Sequence, residues 1–489
     1  MNHKFSTLAL ALSLLSTASC NDFLDQYSQD RVVAKTVQDL NELLVGDVYH
    51  VVNKGVSAST YGFINILDDD INTTGTSQQG NIGNTAWTHT VAPMYGYFTW
   101  QQDVRYNYGR TNKGNDDATL KTLYTRINHV NNIVDLIDDM PHATQEDDAL
   151  YHRVKGEALF ARSQFYFALA NLYGRPYRLD SAAVDLCVPL KLTSYVEHNK
   201  DKETQFSRAT NAAVYAQMAK DLETAASELT VSPQPDRFRL HRASAEAANL
   251  LLSRVYIYMQ RWSDAEKAAR RVVESPRAKL TPLSALQSGQ PFLTRNNVEI
   301  LFTQGANHLA ATDRNTSLTG APADYCVSRE LYELFSAFDA RRSTFFSTNS
   351  LSDSLGLANK YERTTEANHI SDGFTLRTSE AYLNLAEALA MQGKDAEANA
   401  VLHQLQRQRI DEELTNHTGE DLVNEIRNER RRELCFEGHR WFDLRRYSVL
   451  EKYPLRKTVV HAFNAYTEQN SFLTTHLFLL PSGDAAYTF

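Results

Sequence analysis

Residues Asn424 to Tyr447 read N-E-I-R-N-E-R-R-R-E-L-C-F-E-G-H-R-W-F-D-L-R-R-Y. As far as Glu437 the stretch has no Pro or Gly and is rich in Glu and Arg, which predicts a helix. Its apolar stripe starts at Val423 and Ile426, and at helical spacing the same stripe runs on into Arg430, Glu433 and Glu437. A face that begins apolar and turns ionic predicts charges packed against other helices and paired with one another. Glu433 and Glu437 would repel on a bare surface, and Arg430, Arg440 and Arg445 are the expected partners. Gly438 suits a left-handed cap, after which the chain turns back with Trp441 and Phe442 as aromatic anchors. A catalytic or phosphate site would also use such charges. The pattern fits better a half-buried ion network that closes a helical array.

That array is legible upstream. Ser244–Met259 with Ser263–Glu274, and Thr378–Met391 with Asp395–Arg409, form two helical hairpins. Each has Met-Gln before the turn and Asp-Ala-Glu opening the second helix. Ala248, Ala265, Ala268, Ala386 and Ala398 let paired helices approach closely, the physical content of a tetratricopeptide unit. Such units need stacked neighbours. Leu120–Met140, Tyr151–Gly174 and Ala212–Leu229 have helical period and would supply them, and Thr36–Val51 is the first helix. Tyr151–Gly174 is apolar nearly all round and belongs in the middle of the fold. The fold class is therefore mostly α, with helical hairpins as scaffold at 120–275 and 374–447. Long irregular stretches at 53–115 and 280–373 and a few short strands complete it. Val298–Phe302 is the one convincing strand-like run, and Asp180–Ser207 reads as a linker.

Four separated places carry a family resemblance. Arg427–Arg446 resembles the C-terminal signature of SusD/RagB-family lipoproteins, R-x-E-R-R-x-E-L-x-F-E-G-x-R-W-x-D-L-x-R. The run from Gly156 to Gly174, G-E-A-L-F-A-R-S-Q-F-Y-F-A-L-A-N-L-Y-G, resembles a second family segment. Leu40–Tyr49 resembles the opening helix, and Ser328–Phe346, with Asp339 and Arg341, the helix that carries a D-x-R motif. The tail, L-F-L-L-P-S-G-D-A-A-Y-T-F, departs from the family's usual close.

The start agrees. Lys4, the apolar run Phe5–Leu15 and the small residues before Cys20 read as an export signal, too short in its apolar part to span a bilayer. Ending directly in Cys, it resembles a lipobox, with residues 1–19 as signal and Cys20 as the lipid anchor of one domain over 20–489. Asn21–Asp25 resembles the family's opening after that Cys. The resemblance implies a protein lipid-anchored in the bacterial outer membrane and exposed at the cell surface, of Bacteroidota type. It further implies a SusC-like TonB-dependent transporter as partner and a glycan, occasionally a peptide, as ligand.

The residues themselves favour binding over chemistry. The net charge of −9 and the lack of a basic patch argue against nucleic acid. Cys187, Cys326 and Cys435 show no paired spacing that would signal a disulfide framework or a zinc site, and no cofactor motif is present. G-x-S-x-G, H-E-x-x-H and a phosphate-cradling glycine loop are lacking, while the paired carboxylates of a glycosidase are a spatial matter. Asp68-Asp69-Asp70 offers an acid pair or a calcium ligand but, without Gly spacing or a closing Glu, reads as a solvated turn and helix cap.

Sugar capture needs aromatic faces with hydrogen-bonding rims. Trp87, Tyr95, Tyr97 and Trp100 stand beside Gln102, Asp103 and Arg105, and a second wall holds Asn307 and Tyr325. The competing reading of each ring is that it covers the flank of the repeats. The expectation is a non-enzymatic, SusD-like oligosaccharide binder. A peptide binder, a structural tetratricopeptide lipoprotein and a surface glycosidase are the alternatives.

Overall fold

A computed structural model describes residues 34–49, 63–73, 95–101, 119–195, 207–235, 240–287, 289–305, 307, 325–348, 355–357, 359–362, 370–466 and 473–480. Cys20, Trp87, Gln102, Asp103, Arg105 and the final tail lie outside them.

The helices are α1 (Val37–Leu43), α2 (Tyr95–Phe98), α3 (Thr119–Leu136), α4 (Gln145–Tyr173), α5 (Asn211–Val231), α6 (Ala245–Tyr258) and α7 (Trp262–Val273). They continue as α8 (Arg329–Glu333), α9 (Ala340–Phe345), α10 (Thr378–Met391), α11 (Asp395–Gln406), α12 (Gly419–Leu434) and α13 (Arg440–Tyr447). Hydroxyl caps begin several of them. Thr36 forms a capping box with Asp39, and Thr144, Thr210 and Ser244 each accept a backbone N–H of the first turn.

α3 to α7 pack each on the next, and α10 packs on α7 although a hundred residues separate them in the chain. The second hairpin, α10 and α11, therefore stacks directly on the first, and α12 closes the stack against α10. The small residues do what their spacing predicts: Ala248, Ala265, Ala268, Ala386 and Ala398 are all buried. At Gly156, on α4, even a Cβ would meet Leu229 Cγ of α5 at 2.7 Å, so only glycine permits that approach. α4 is buried along its C-terminal two thirds, in the middle of the fold. Arg162 on α4 grips Asp221 on α5 through Nε at 2.7 Å and Nη2 at 2.8 Å, and Arg254 on α6 grips Glu380 on α10 at 2.6 Å through both.

The strands are short: β1 (Ile71–Thr73), β2 (Leu186–Pro189), β3 (Arg208–Thr210), β4 (Ile300–Thr303), β5 (Tyr325–Val327), β6 (Phe346–Thr348), β7 (Leu355–Leu357) and β8 (Thr375–Arg377). An eight-residue hairpin, β9 (Val459–Tyr466) with β10 (Leu473–Leu480), follows. The order β1-β5-β7-β6 makes an antiparallel sheet over a second apolar core of Phe335, Phe345, Phe346, Tyr361, Cys435 and Phe436.

Three expectations are corrected here. The run at Val298–Phe302 does make a strand, β4 against β8, but it is one of several. The described residues of the segment 280–373 include short helices and strands, and the helix expected over Ser328–Phe346 is broken in two between Leu334 and Asp339. The linker at 180–207 contributes β2, paired with β3. The partner of β4 could not be read locally, because β8 lies more than seventy residues along the chain.

Candidate functional site

The signature helix α12 ends at Leu434, three residues short of Glu437. Cys435 turns extended, Phe436 takes a left-handed φ of 60°, and both side chains drop into the second core. Gly438 is left-handed as expected, at φ 76°, and a Cβ there would strike the carbonyl of Gly373 at 2.7 Å.

The ion network exists, and it is buried more deeply than half. Glu433 is fully inaccessible and accepts from Arg341 at 2.8 Å, Arg377 at 2.6 Å and Arg409 at 2.8 and 2.9 Å. Arg377 also reaches Glu437 at 2.8 Å and Glu299 at 3.0 Å, and Arg409 reaches Glu299 at 2.6 Å. Arg341 adds Asp339 at 2.7 Å and Glu429 at 2.5 Å, while buried Lys360 completes Glu437 at 2.8 Å. The partners expected from neighbouring sequence are corrected. Arg430 binds Asp443 at 2.8 Å, Arg440 binds Asp69, and Arg445 donates to the carbonyl of Gly174. Partners for Glu433 and Glu437 come from β8, α9, the 359–362 segment and the end of α11, placed by tertiary folding. Guanidiniums and burial compete at Glu429, Glu433 and Glu437. At Glu429 burial raises the pKa, but Arg341 and Arg432 bring it down to about 2; Arg409 and Arg377 likewise hold Glu433 well below the usual range.

Asp68-Asp69-Asp70 is corrected too, because all three are buried rather than solvated. Arg440 forks onto Asp69 at 2.7 and 2.8 Å, Arg431 approaches it at 3.1 Å, and Lys457 donates to it at 2.5 Å. Arg431 also binds Asp70 at 2.7 Å. The acids' oxygens lie within 4.8 Å of one another, close enough for a metal ion. Three cationic side chains already occupy the surroundings of Asp69, so the cluster is a structural corner. Burial and the neighbouring acids push Asp68 well up, while Arg440 and Arg431 overcome burial at Asp69 and hold it well down.

From this corner the aromatic edge is held in place. His461 of β9 is sandwiched between the rings of Phe98 and Trp100, with centroids 4.2 and 4.3 Å away. Its Nδ1 lies 2.6 Å from the Phe98 carbonyl and its Nε2 2.7 Å from that of Asp68. Trp100 adopts a left-handed φ of 50°, rare for so bulky a residue, and its indole N–H donates to the Leu67 carbonyl at 3.0 Å. Tyr97 stacks on Phe63 at 4.2 Å. Tyr97, Trp100 and the neighbouring Gln101 lie within five residues of one another and are each partly exposed.

Tyr95 opens α2 and Tyr325 opens β5, placed by their backbone alone. Asn307 is buried and donates to the Ile370 carbonyl at 2.9 Å, which makes it a bracket between loops. His461 was missed in the sequence: a lone His among V-V-H-A-F carries no sign that it will enter an aromatic stack. A separate cavity of about 190 Å³ lies between Leu334–Asp339 and the loop after α11, lined by Gln406, Glu412, His417, Glu425 and Arg432. No Trp or Tyr faces it.

Comparison with known proteins adds the family. The SusD family model matches residues 340–477, and a second model, described as starch-binding associating with outer membrane, matches residues 22–257. No curated protein gives a significant match. Among solved structures, a SusD superfamily protein from Bacteroides thetaiotaomicron is similar with a TM-score of 0.67 and 23% identity, covering 87% of this chain and 90% of that one. A SusD-like carbohydrate binding protein from Bacteroides vulgatus gives 0.65 and 20%, covering 92% and 90%. The surface glycan-binding protein A of Bacteroides uniformis gives 0.59 and 17%, covering 85% and 90%. At these identities the structures speak for the fold alone.

Proposed function

Because the chain belongs to the SusD/RagB family, we propose that it binds oligosaccharides at the outer membrane of the cell, without turning them over. The observation that carries the reading is the edge formed by Tyr97, Trp100 and Gln101. Flat rings are needed against the C–H faces of a pyranose, and polar groups against its hydroxyls. Here Trp100 is fixed before any ligand arrives, by the Leu67 carbonyl at one edge and His461 on one face. A fixed ring loses little freedom on binding, which favours recognition. The names of the matched models and neighbours, starch-binding, carbohydrate binding and surface glycan-binding, support the same ligand class. The 190 Å³ cavity, acidic and without Trp or Tyr, suits a stacked sugar poorly.

On this reading Trp87, Tyr95, Gln102, Asp103, Arg105 and Tyr325 are further candidates for contact with the sugar. Cys20 carries the lipid that holds the protein to the outer membrane, exposed at the cell surface, and one domain follows the signal. A SusC-like TonB-dependent transporter receives the captured glycan. The fixed scaffold would present the sugar and leave translocation to that partner.

The test is a panel of polysaccharides and peptides run against the lipid-free chain from Asn21, by affinity gels and calorimetry, with reducing-sugar release assayed alongside. Binding of a glycan, weakened at least tenfold by Trp100→Ala and unaccompanied by product, is the expected result. Peptide binding without any glycan response, or release of sugar, would overturn the reading.

A further inference from the structure

Inside the signature lies a cavity with about 10 Å³ open to the centre of a water-sized sphere, enough for one molecule of that size. Asp70, Arg427, Arg430, Arg431, Arg440 and Asp443 are among its walls. Two of these walls carry complementary unsatisfied atoms. Asp70 Oδ2 is buried with no hydrogen-bond partner, although Oδ1 takes Arg431. Arg427 Nε is buried without an acceptor, although its Nη1 donates to Asn424 Oδ1 at 3.1 Å and its Nη2 to the Tyr453 carbonyl at 2.6 Å. Both residues are more than nine-tenths buried. A buried acceptor and a buried donor on the walls of one cavity are costly to leave unmade.

We propose that this cavity is a binding site for a single ordered water, which accepts from Arg427 Nε and donates to Asp70 Oδ2. The chemistry of the walls selects the occupant. A halide would accept from Arg427 but has no hydrogen to give Asp70, and it would sit against the carboxylates of Asp70 and Asp443. A metal cation would suit Asp70 but would face four guanidiniums. Water alone supplies both halves, and the volume admits one. Its consequence is connectivity. Asp70 belongs to the corner that anchors the aromatic edge, and Arg427 ties α12 to the chain beyond α13 through Tyr453. The water adds a bridge from Asp70 to Arg427 beside the direct Arg431–Asp70 and Lys457–Asp69 contacts that already tie the corner to α12 and to the segment leading to β9.

The experiment is a crystal structure of the full chain near 1.6 Å, grown once in chloride and once in bromide. The expected result is one peak within hydrogen-bond distance of Asp70 Oδ2 and Arg427 Nε, with no bromide anomalous signal. An empty cavity, a bromide peak or a metal coordinated by Asp70 would overturn the proposal. A second measurement uses Arg427→Met, Asp70→Asn and the double variant in thermal melts. If one water links them, the double variant loses clearly less than the sum of the single losses. Strict additivity would count against the link.

Discussion

Glu433→Gln is the sharpest probe of the scaffold, because it removes one charge and keeps the shape. The wild-type carboxylate is inaccessible to solvent and serves Arg341, Arg377 and Arg409 at 2.6 to 2.9 Å. Breaking one partner out of a buried ion pair costs about 3–5 kcal/mol, since the opposite charge stays behind uncompensated. Here each guanidinium keeps another acid: Arg377 keeps Glu299 and Glu437, Arg409 keeps Glu299, and Arg341 keeps Asp339 and Glu429. The lower end, about 3 kcal/mol, is therefore expected. For a chain of this size the unfolding entropy near the midpoint is about 1 kcal/mol/K, so the melting temperature should fall by roughly 3 °C. Glu425→Gln is the control. Glu425 also binds Arg432, at 2.6 Å, but it is partly exposed and Arg432 keeps Glu429 at 2.7 Å, so the loss should stay within about 1 °C. Scanning calorimetry at one scan rate compares the two directly. Equal shifts, or a Glu433→Gln shift below about 1 °C, would refute the claim that the network's burial sets its worth. Glycan binding by the folded variant should be unchanged, because Glu433 touches none of the aromatic edge.

Buried His439 sits among Arg254, Arg430, Arg377 and Lys360, and burial first, then these cations, hold its pKa well below the ordinary value. The unfolded chain takes up a proton there near pH 6.5 that the folded chain refuses, so this site withdraws about 1.4 kcal/mol of stability per pH unit below 6.5. His439→Gln should remove that slope, visible as a wild-type-minus-variant difference in melts between pH 5 and 7; parallel curves would contradict it. Glu429 acts lower: with its folded pKa at about 2, its contribution is complete above about pH 4.5 and is lost as the pH falls towards 2. Gly438→Ala forces a Cβ into the Gly373 carbonyl at 2.7 Å from a left-handed backbone, and should cost at least about 1–3 kcal/mol in denaturant melts. Asp69→Asn leaves Arg440, Arg431 and Lys457 facing a neutral group, and should destabilise by about 3–5 kcal/mol in the same melts; a solvated Asp69 would give almost nothing.

What could be read from the sequence follows the range of the interactions involved. The helices of the stack announce themselves because their apolar faces repeat every three or four residues, and the ionic continuation of the Val423–Ile426 stripe foretold buried charge. The partners of that charge could not be read, because Arg341, Arg377 and Arg409 enter from elements 24 to 92 residues away. Local composition also misled at Asp68-Asp69-Asp70. Three acids in a row look solvated until Arg431 and Arg440, more than 360 residues later, fold onto them. The β9–β10 hairpin has an alternating pattern but no short turn to mark it, so its pairing with itself and the insertion of His461 were invisible.

The same logic links the scaffold to the candidate binding edge. A ring on a loop is a poor platform if the loop can move, and Trp100 lies in the turn two residues past a four-residue helix, at a left-handed φ of 50°. Its orientation is fixed by two groups, the Leu67 carbonyl and the ring of His461, and His461 is itself held at the Phe98 carbonyl. Leu67 and Asp68 are continuous with Asp69, which Arg440 grips from the signature, and His461 reaches the Asp68 carbonyl. On the proposed reading the charges of the signature act on binding at one remove. They hold the corner, the corner holds the Leu67 carbonyl and, through the Asp68 carbonyl, His461, and those two groups set the face of the indole. If so, Asp69→Asn should weaken glycan binding in the fraction that remains folded, whereas Glu433→Gln, equally buried but on the far side of α12, should lower stability and leave affinity alone. Calorimetric titration of both variants at a temperature where each is folded separates the two effects. Equal affinities for Asp69→Asn and wild type would mean that the edge is held by its own loop and owes nothing to the signature.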